Sequence, residues 1–94
     1  MKSMRIIVLI IILAMTNSIS AATITVSAAA SLKDVMTEIK KAYEIENKVD
    51  KLIFNFGGSG SLQQQIENGA PVDIFISAAE KQIDELDKKN LIIK

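Results

Sequence analysis

The sequence contains no histidine, no cysteine and no tryptophan. Without histidine there is no imidazole to serve a serine or cysteine nucleophile, and none to act as a general acid or base. Zinc, haem and iron–sulfur centres lose their usual ligands when histidine and cysteine are both missing. Carboxylates, hydroxyls and backbone N–H groups are left to do any chemistry. Excess charge is absent too: eleven basic side chains balance eleven acidic ones. A nucleic-acid binder needs a basic surface to displace counterions, so the balance argues against nucleic acid as a partner. With no disulfide framework, the core must hold the fold unaided.

Long apolar runs are also scarce, with one exception. Lys2 and Arg5 precede ten apolar residues from Ile6 to Met15, and small residues close the segment at Ser20, Ala21 and Ala22. A membrane-spanning helix needs roughly 20 apolar residues, so this run is about half the required length. Cationic start, short apolar centre and small-residue close match a secretory leader. Residues 1–22 are therefore expected to be a signal peptide, cut after Ala21 or Ala22. No cysteine follows that could carry a lipid anchor. The product is expected in the periplasm or outside the cell, not spanning the membrane. Losing Lys2 and Arg5 leaves nine basic side chains against eleven acidic ones, a net charge of −2.

Residues 23–94 alternate between strand-like and helix-like patterns. Ile24 and Val26 alternate with Thr25 and Ser27, as in a strand. Ser31-Leu32-Lys33-Asp34 resembles a capping box, with Ser31 as N-cap. Leu32, Val35, Met36, Ile39 and Tyr43 follow at helical spacing, and this helix is expected to stop near Asn47. Leu52 to Phe56 is rich in β-formers. Gly57-Gly58-Ser59-Gly60-Ser61 interrupts it, and a short helix is expected from Ser61 or Leu62 to Asn68. Gly69 stands where a left-handed cap belongs, and Pro71 forbids continuation. Val72 to Ser77 reads as a third strand and Ala79 to Lys89 as a third helix. The order βαβαβα implies an α/β fold with a mostly parallel sheet and helices on its faces.

In such sheets ligands sit beyond the carboxyl ends of the strands. Three small, hydroxyl-bearing segments fall there: Ala28 to Ser31, Gly57 to Ser61, and Ser77 to Ala79. Each opens a helix, whose unpaired N–H groups and positive dipole end suit an anion. None contains lysine or arginine, so the implied site holds an oxyanion by neutral hydrogen bonds. Ser31 could equally be a plain N-cap, and a loop rich in glycine and serine can simply turn the chain. Gly58-x-Gly60 begins a dinucleotide fingerprint, but Gln63 occupies the third glycine position. Glu38, Asp73 and Glu80 lack a paired acid at a telling spacing and read as solvated or capping residues. A fragment of a nucleotide-binding enzyme and a small secreted interaction protein without ligand remain open as alternatives.

The segments from Thr25 to Leu32, Phe56 to Leu62 and Gln65 to Ala78 together resemble the opening of the periplasmic molybdate-binding proteins. These are substrate-binding components of molybdate ABC importers, with the type II periplasmic-binding fold. The resemblance implies that Ser31 and Ser59 hydrogen-bond the oxyanion, helped by their own backbone N–H groups. It also implies a molybdate or tungstate ligand, a membrane permease as partner, no cofactor and no enzymatic activity. The sequence departs from that family at Ala79, where an acid is common, and at Gln82, where an aromatic is common. Family members continue into a second lobe, whose oxyanion contacts include a tyrosine; Tyr43, on the first helix, does not match it. Residues 23–94 are accordingly expected to form an incomplete first lobe. The isolated chain is expected to be a truncated form with weak stability, a tendency to aggregate and impaired binding.

Overall fold

The computed structural model describes residues 21–94. Apart from Ala21 and Ala22, the expected leader lies outside the described residues. Three strands and three α-helices follow in the expected order: β1 (Thr23–Ala29), α1 (Lys33–Glu46), β2 (Lys51–Gly57), α2 (Ser59–Glu67), β3 (Ile74–Ile76) and α3 (Glu80–Lys88). One 3₁₀ turn, Ala30–Leu32, joins β1 to α1. The sheet order is β2-β1-β3 and both pairings are parallel, so β1 is the central strand.

Strand alternation divides the core between the two faces of the sheet. On one face Val26, Ala28 and Met36 of α1 form the buried centre, with Ile24, Leu32, Phe54, Phe56 and Ile76 packed around it. The rings of Phe54 and Phe56 stack with centroids 5.4 Å apart. Asn55 projects to the opposite face, where its Nδ2 donates to Gln65 Oε1 of α2 at 2.9 Å. Gly57 lies on that side as well. A Cβ there would meet Leu62 Cδ2 at 3.3 Å, so the absence of a side chain lets α2 start close against the sheet. Leu62 and, from α3, Leu86 are fully buried.

Both of these later helices end alike. After α2, Gly69 takes φ +88° while its N–H donates to Ile66 O and that of Ala70 donates to Gln65 O. After α3, Asn90 takes φ 55° while its N–H donates to Asp87 O and that of Leu91 donates to Leu86 O. Paired bonds around one left-handed residue satisfy carbonyls that a helix end otherwise leaves open.

Three expectations require correction. Ser31 is not an N-cap: Ala29 precedes the 3₁₀ turn, Leu32 precedes α1, and neither start has a side-chain cap. The second helix begins at Ser59, two residues early, because Gly58 is already extended at its N-cap. The third strand is three residues long, not six, since β1 pairs only with Ile74, Phe75 and Ile76 in parallel register. Asp73 takes over where that ladder stops: its Oδ2 accepts from Thr25 N–H at 2.8 Å and its own N–H donates to Thr25 O at 2.9 Å. Among the described residues no helix is long and apolar enough to cross a membrane.

Candidate functional site

Parallel register places the ends of the three strands side by side. Ala29 pairs with Gly57, and Ala28 pairs with Ile76. The segments that follow, carrying Ser31, Ser59 and Ser77, therefore leave the sheet along one edge. At each of them the chain turns into a helix without a side-chain cap: the preceding residues are Ala29, Gly58 and Ala79. Caps normally occupy one of the orphan N–H donors at a helix start. Here no side chain caps any of the three starts. Small residues at Ala28, Ala29, Gly57, Gly58, Ala78 and Ala79 keep side-chain bulk away from the backbone there.

Ser59 is the first residue of α2 and half-buried. Its Oγ accepts the Ala78 N–H at 3.0 Å, tying the turn after β2 to the turn after β3. A hydroxyl that accepts through one lone pair still carries its own proton, so Ser59 is oriented and able to donate. Ser77 is engaged differently. Its hydroxyl donates to Ala79 O at 2.6 Å and accepts from Ala79 N–H at 3.2 Å, closing the turn into α3 on itself. Ser31 lies in the 3₁₀ turn and is exposed, free of the capping duty its spacing suggested. The role of Ser59 as acceptor for Ala78 is not visible in the sequence, because it depends on the crossover that brings β3 beside β1.

The acids singled out earlier lie elsewhere. Glu38 pairs with Lys41 at 3.6 Å on the exposed side of α1. Glu80 is exposed in the first turn of α3. Asp73 clasps Thr25, at the opposite end of β3 from Ser77. Gln63, which replaces the third glycine of a dinucleotide fingerprint, hydrogen-bonds Glu67 and Glu85 and so joins α2 to α3. No lysine or arginine belongs to any of the three turns.

A parallel α/β sheet whose small, hydroxyl-bearing turns converge beyond the carboxyl ends of its strands has the arrangement in which open α/β sheets hold ligands. The family of bacterial extracellular solute-binding proteins matches residues 24–94, and the chain belongs to that family. It is similar to the molybdate-binding protein ModA of Haemophilus influenzae, with 40% identity over 75 residues covering 80% of this chain and 30% of that protein. ModA of Escherichia coli is 48% identical over 67 residues, covering 70% of this chain and 26% of its own length. Among solved structures, a chain described as the substrate-binding domain of a molybdenum ABC transporter from Clostridium difficile superposes with a TM-score of 0.70. It shares 51% identity, over 72% of this chain and 30% of that one. The present chain thus spans under a third of the length of these relatives.

Proposed function

We propose that this chain contributes part of an extracytoplasmic cleft that binds a tetrahedral oxyanion, molybdate or tungstate, for delivery to an ABC importer. The observation that carries the proposal is the convergence of three uncapped helix starts at one sheet edge, with Ser59 oriented by Ala78 N–H. The relatives named above support molybdate as the ligand. In this reading Ser31 and Ser59 donate their hydroxyl protons to oxyanion oxygens, and the N–H groups of the same turns add further donors. Donors held by the sheet have fixed separations, which suit the longer metal–oxygen bonds of molybdate and hold a smaller sulfate loosely. Neutral donors fix the anion without proton transfer, redox change or covalent bonding.

Residues 23–94 make up an opening portion of the first lobe, and the single edge described here grips the anion from one side only. Binding by the 94-residue chain itself is therefore weak. Amide chemical shifts followed during titration with sodium molybdate test this directly. Ser31, Ser59 and Ala78 amides are expected to move together at millimolar molybdate and to stay still with sulfate. A hydroxyl bonded to a charged group contributes about 1.5–3 kcal/mol. Ser31→Ala and Ser59→Ala should accordingly each weaken binding about tenfold or more. Equal shifts with sulfate, or shifts confined to other elements, would remove the site.

A further inference from the structure

Ala22 stands one residue before β1, and both of its backbone polar groups are engaged. Its N–H donates to Asp50 Oδ1 at 3.0 Å, and its carbonyl accepts the Lys51 N–H at 2.9 Å. Asp50 belongs to the turn between α1 and β2, which is braced by Asn47. Asn47 Oδ1 accepts from the N–H groups of Val49 at 3.0 Å and Asp50 at 2.9 Å. Its Nδ2 donates to Tyr43 Oη at 2.8 Å and to Asp50 Oδ2 at 3.1 Å. Tyr43 Oη lies 3.5 Å from Asp50 Oδ2 and completes the set.

All three donors to this carboxylate are neutral. They hold the Asp50 carboxyl below its ordinary range, the Ala22 amide contributing most, so the group is ionised at neutral pH. Lys48 and Lys51 flank it in sequence, yet the ion pairs found among the described residues do not include Asp50. A half-buried, braced carboxylate with no cationic partner among the described residues thus faces one particular backbone nitrogen. That nitrogen belongs to the Ala21–Ala22 bond, where a cut would have the small Ala21 immediately before it and Ile19 two residues further back, whereas a cut after Ala22 would have Ser20 in that place.

We propose that the leader is removed between Ala21 and Ala22, and that the new α-ammonium of Ala22 docks on Asp50 as its cationic partner. The proposal rests on reading the N-terminal segment as an export leader, here ending at Ala21. Water adds across the Ala21–Ala22 peptide bond under a leader endopeptidase. The C–N bond breaks, Ala21 departs with the leader as a carboxylate, and the Ala22 nitrogen becomes an ammonium. The N–H···O bond already present then becomes charge-assisted, which is roughly twice as strong as a neutral one. Cutting after Ala22 instead would remove both Ala22 bonds and leave Asp50 with side-chain donors alone.

The test uses the full 94-residue chain, expressed with its leader in a Gram-negative host and recovered from the periplasm. N-terminal sequencing and intact mass are expected to give a mature chain beginning at Ala22. Recovery of the chain with its leader intact would overturn the export reading itself. A processed chain beginning at Thr23 or Ala21 would leave export standing and overturn the docking proposal. The amine of Ala22 is then titrated by NMR after ¹³C-methyl labelling, in the folded protein and in the same protein unfolded by urea. A free α-amino group titrates near about 7.7–8.0. The folded value is expected to lie about one unit higher, and Asp50→Asn should return it to the unfolded value. Identical folded and unfolded titrations in the wild-type chain would overturn the ion pair without reliance on the variant.

Discussion

Ser27 is the residue whose surroundings differ most from its pattern. Alternation with Val26 marks it as the polar, outward side of a half-buried strand, yet it is 1% exposed and its Oγ has no hydrogen-bond partner among the described residues. The cause is topological: β1 is central, and helices cover both of its faces. A buried hydroxyl without a partner bears its desolvation cost with no return, a penalty of about 1–3 kcal/mol. Ser27→Ala is therefore expected to raise the unfolding free energy by about 1 kcal/mol, read from urea denaturation of the two proteins side by side. Loss of stability would mean that the hydroxyl has a partner the fold requires.

At the scale of elements, α2 and α3 are latched to each other through polar side chains over the buried pair Leu62 and Leu86. Lys89 Nζ reaches Glu67 Oε1 at 2.7 Å, and Gln63 donates to both Glu67 and Glu85. The hydrogen bond from Lys89, then that from Gln63, holds the Glu67 carboxyl below its ordinary value. Because the folded value is the lower one, the latch is fully present above the unfolded pKa of about 4.3. Its contribution is lost as pH falls through the folded value. Melting temperature should thus drop on acidification below about pH 4, and Glu67→Gln should lose less over the same interval. Parallel slopes for the two proteins would show that Glu67 is not part of the acid response.

Much of this element structure is legible in the residues themselves. Apolar spacing from Leu32 to Tyr43 places α1, and its end falls at Asn47 as expected. Gly69 before Pro71 marks a left-handed cap, which φ +88° bears out. Asn90 plays the same part after α3, and the Lys88-Lys89 pair before it was an available signal. What the sequence withholds is long-range. Strand β3 is short because only three of its residues find β1, and Asp73 becomes a clasp only once Thr25 is opposite it. The candidate site divides in the same way. Its small, hydroxyl-bearing turns stand out in the sequence, whereas the freedom of Ser31 from capping and the Ser59–Ala78 tie depend on how the turns assemble.

Over the whole molecule, the described residues leave considerable apolar surface uncovered. Val35, Ile39, Ile45 and Val49 lie exposed on and just beyond α1, Ile53 on the outer strand β2, and Ile74, Leu91 and Ile93 around β3. A cavity of about 580 Å³ opens beside β3, lined in part by Ile66, Val72, Ile74, Phe75 and Ile83. An outer strand with unpaired backbone groups and apolar side chains invites pairing with another chain, and charge on that strand discourages it. The 94-residue chain is expected to self-associate as its concentration rises, by sedimentation velocity. Ile74→Lys should shift the distribution toward monomer, and an unchanged distribution would place the association elsewhere.

The central position of β1 also has a consequence for biogenesis. Thr23 meets Lys51 across one side of the sheet, and Val26 meets Ile74 across the other. Both partners of the first strand are therefore synthesised after it, and the second pairing closes a loop that contains every residue of α1, β2 and α2. Closing long loops costs entropy before any contact repays it, and this slows folding. A chain that is made N-terminus first must leave one side of β1 unpaired until β3 has followed. The central strand is thus the earliest to arrive and the last to be enclosed.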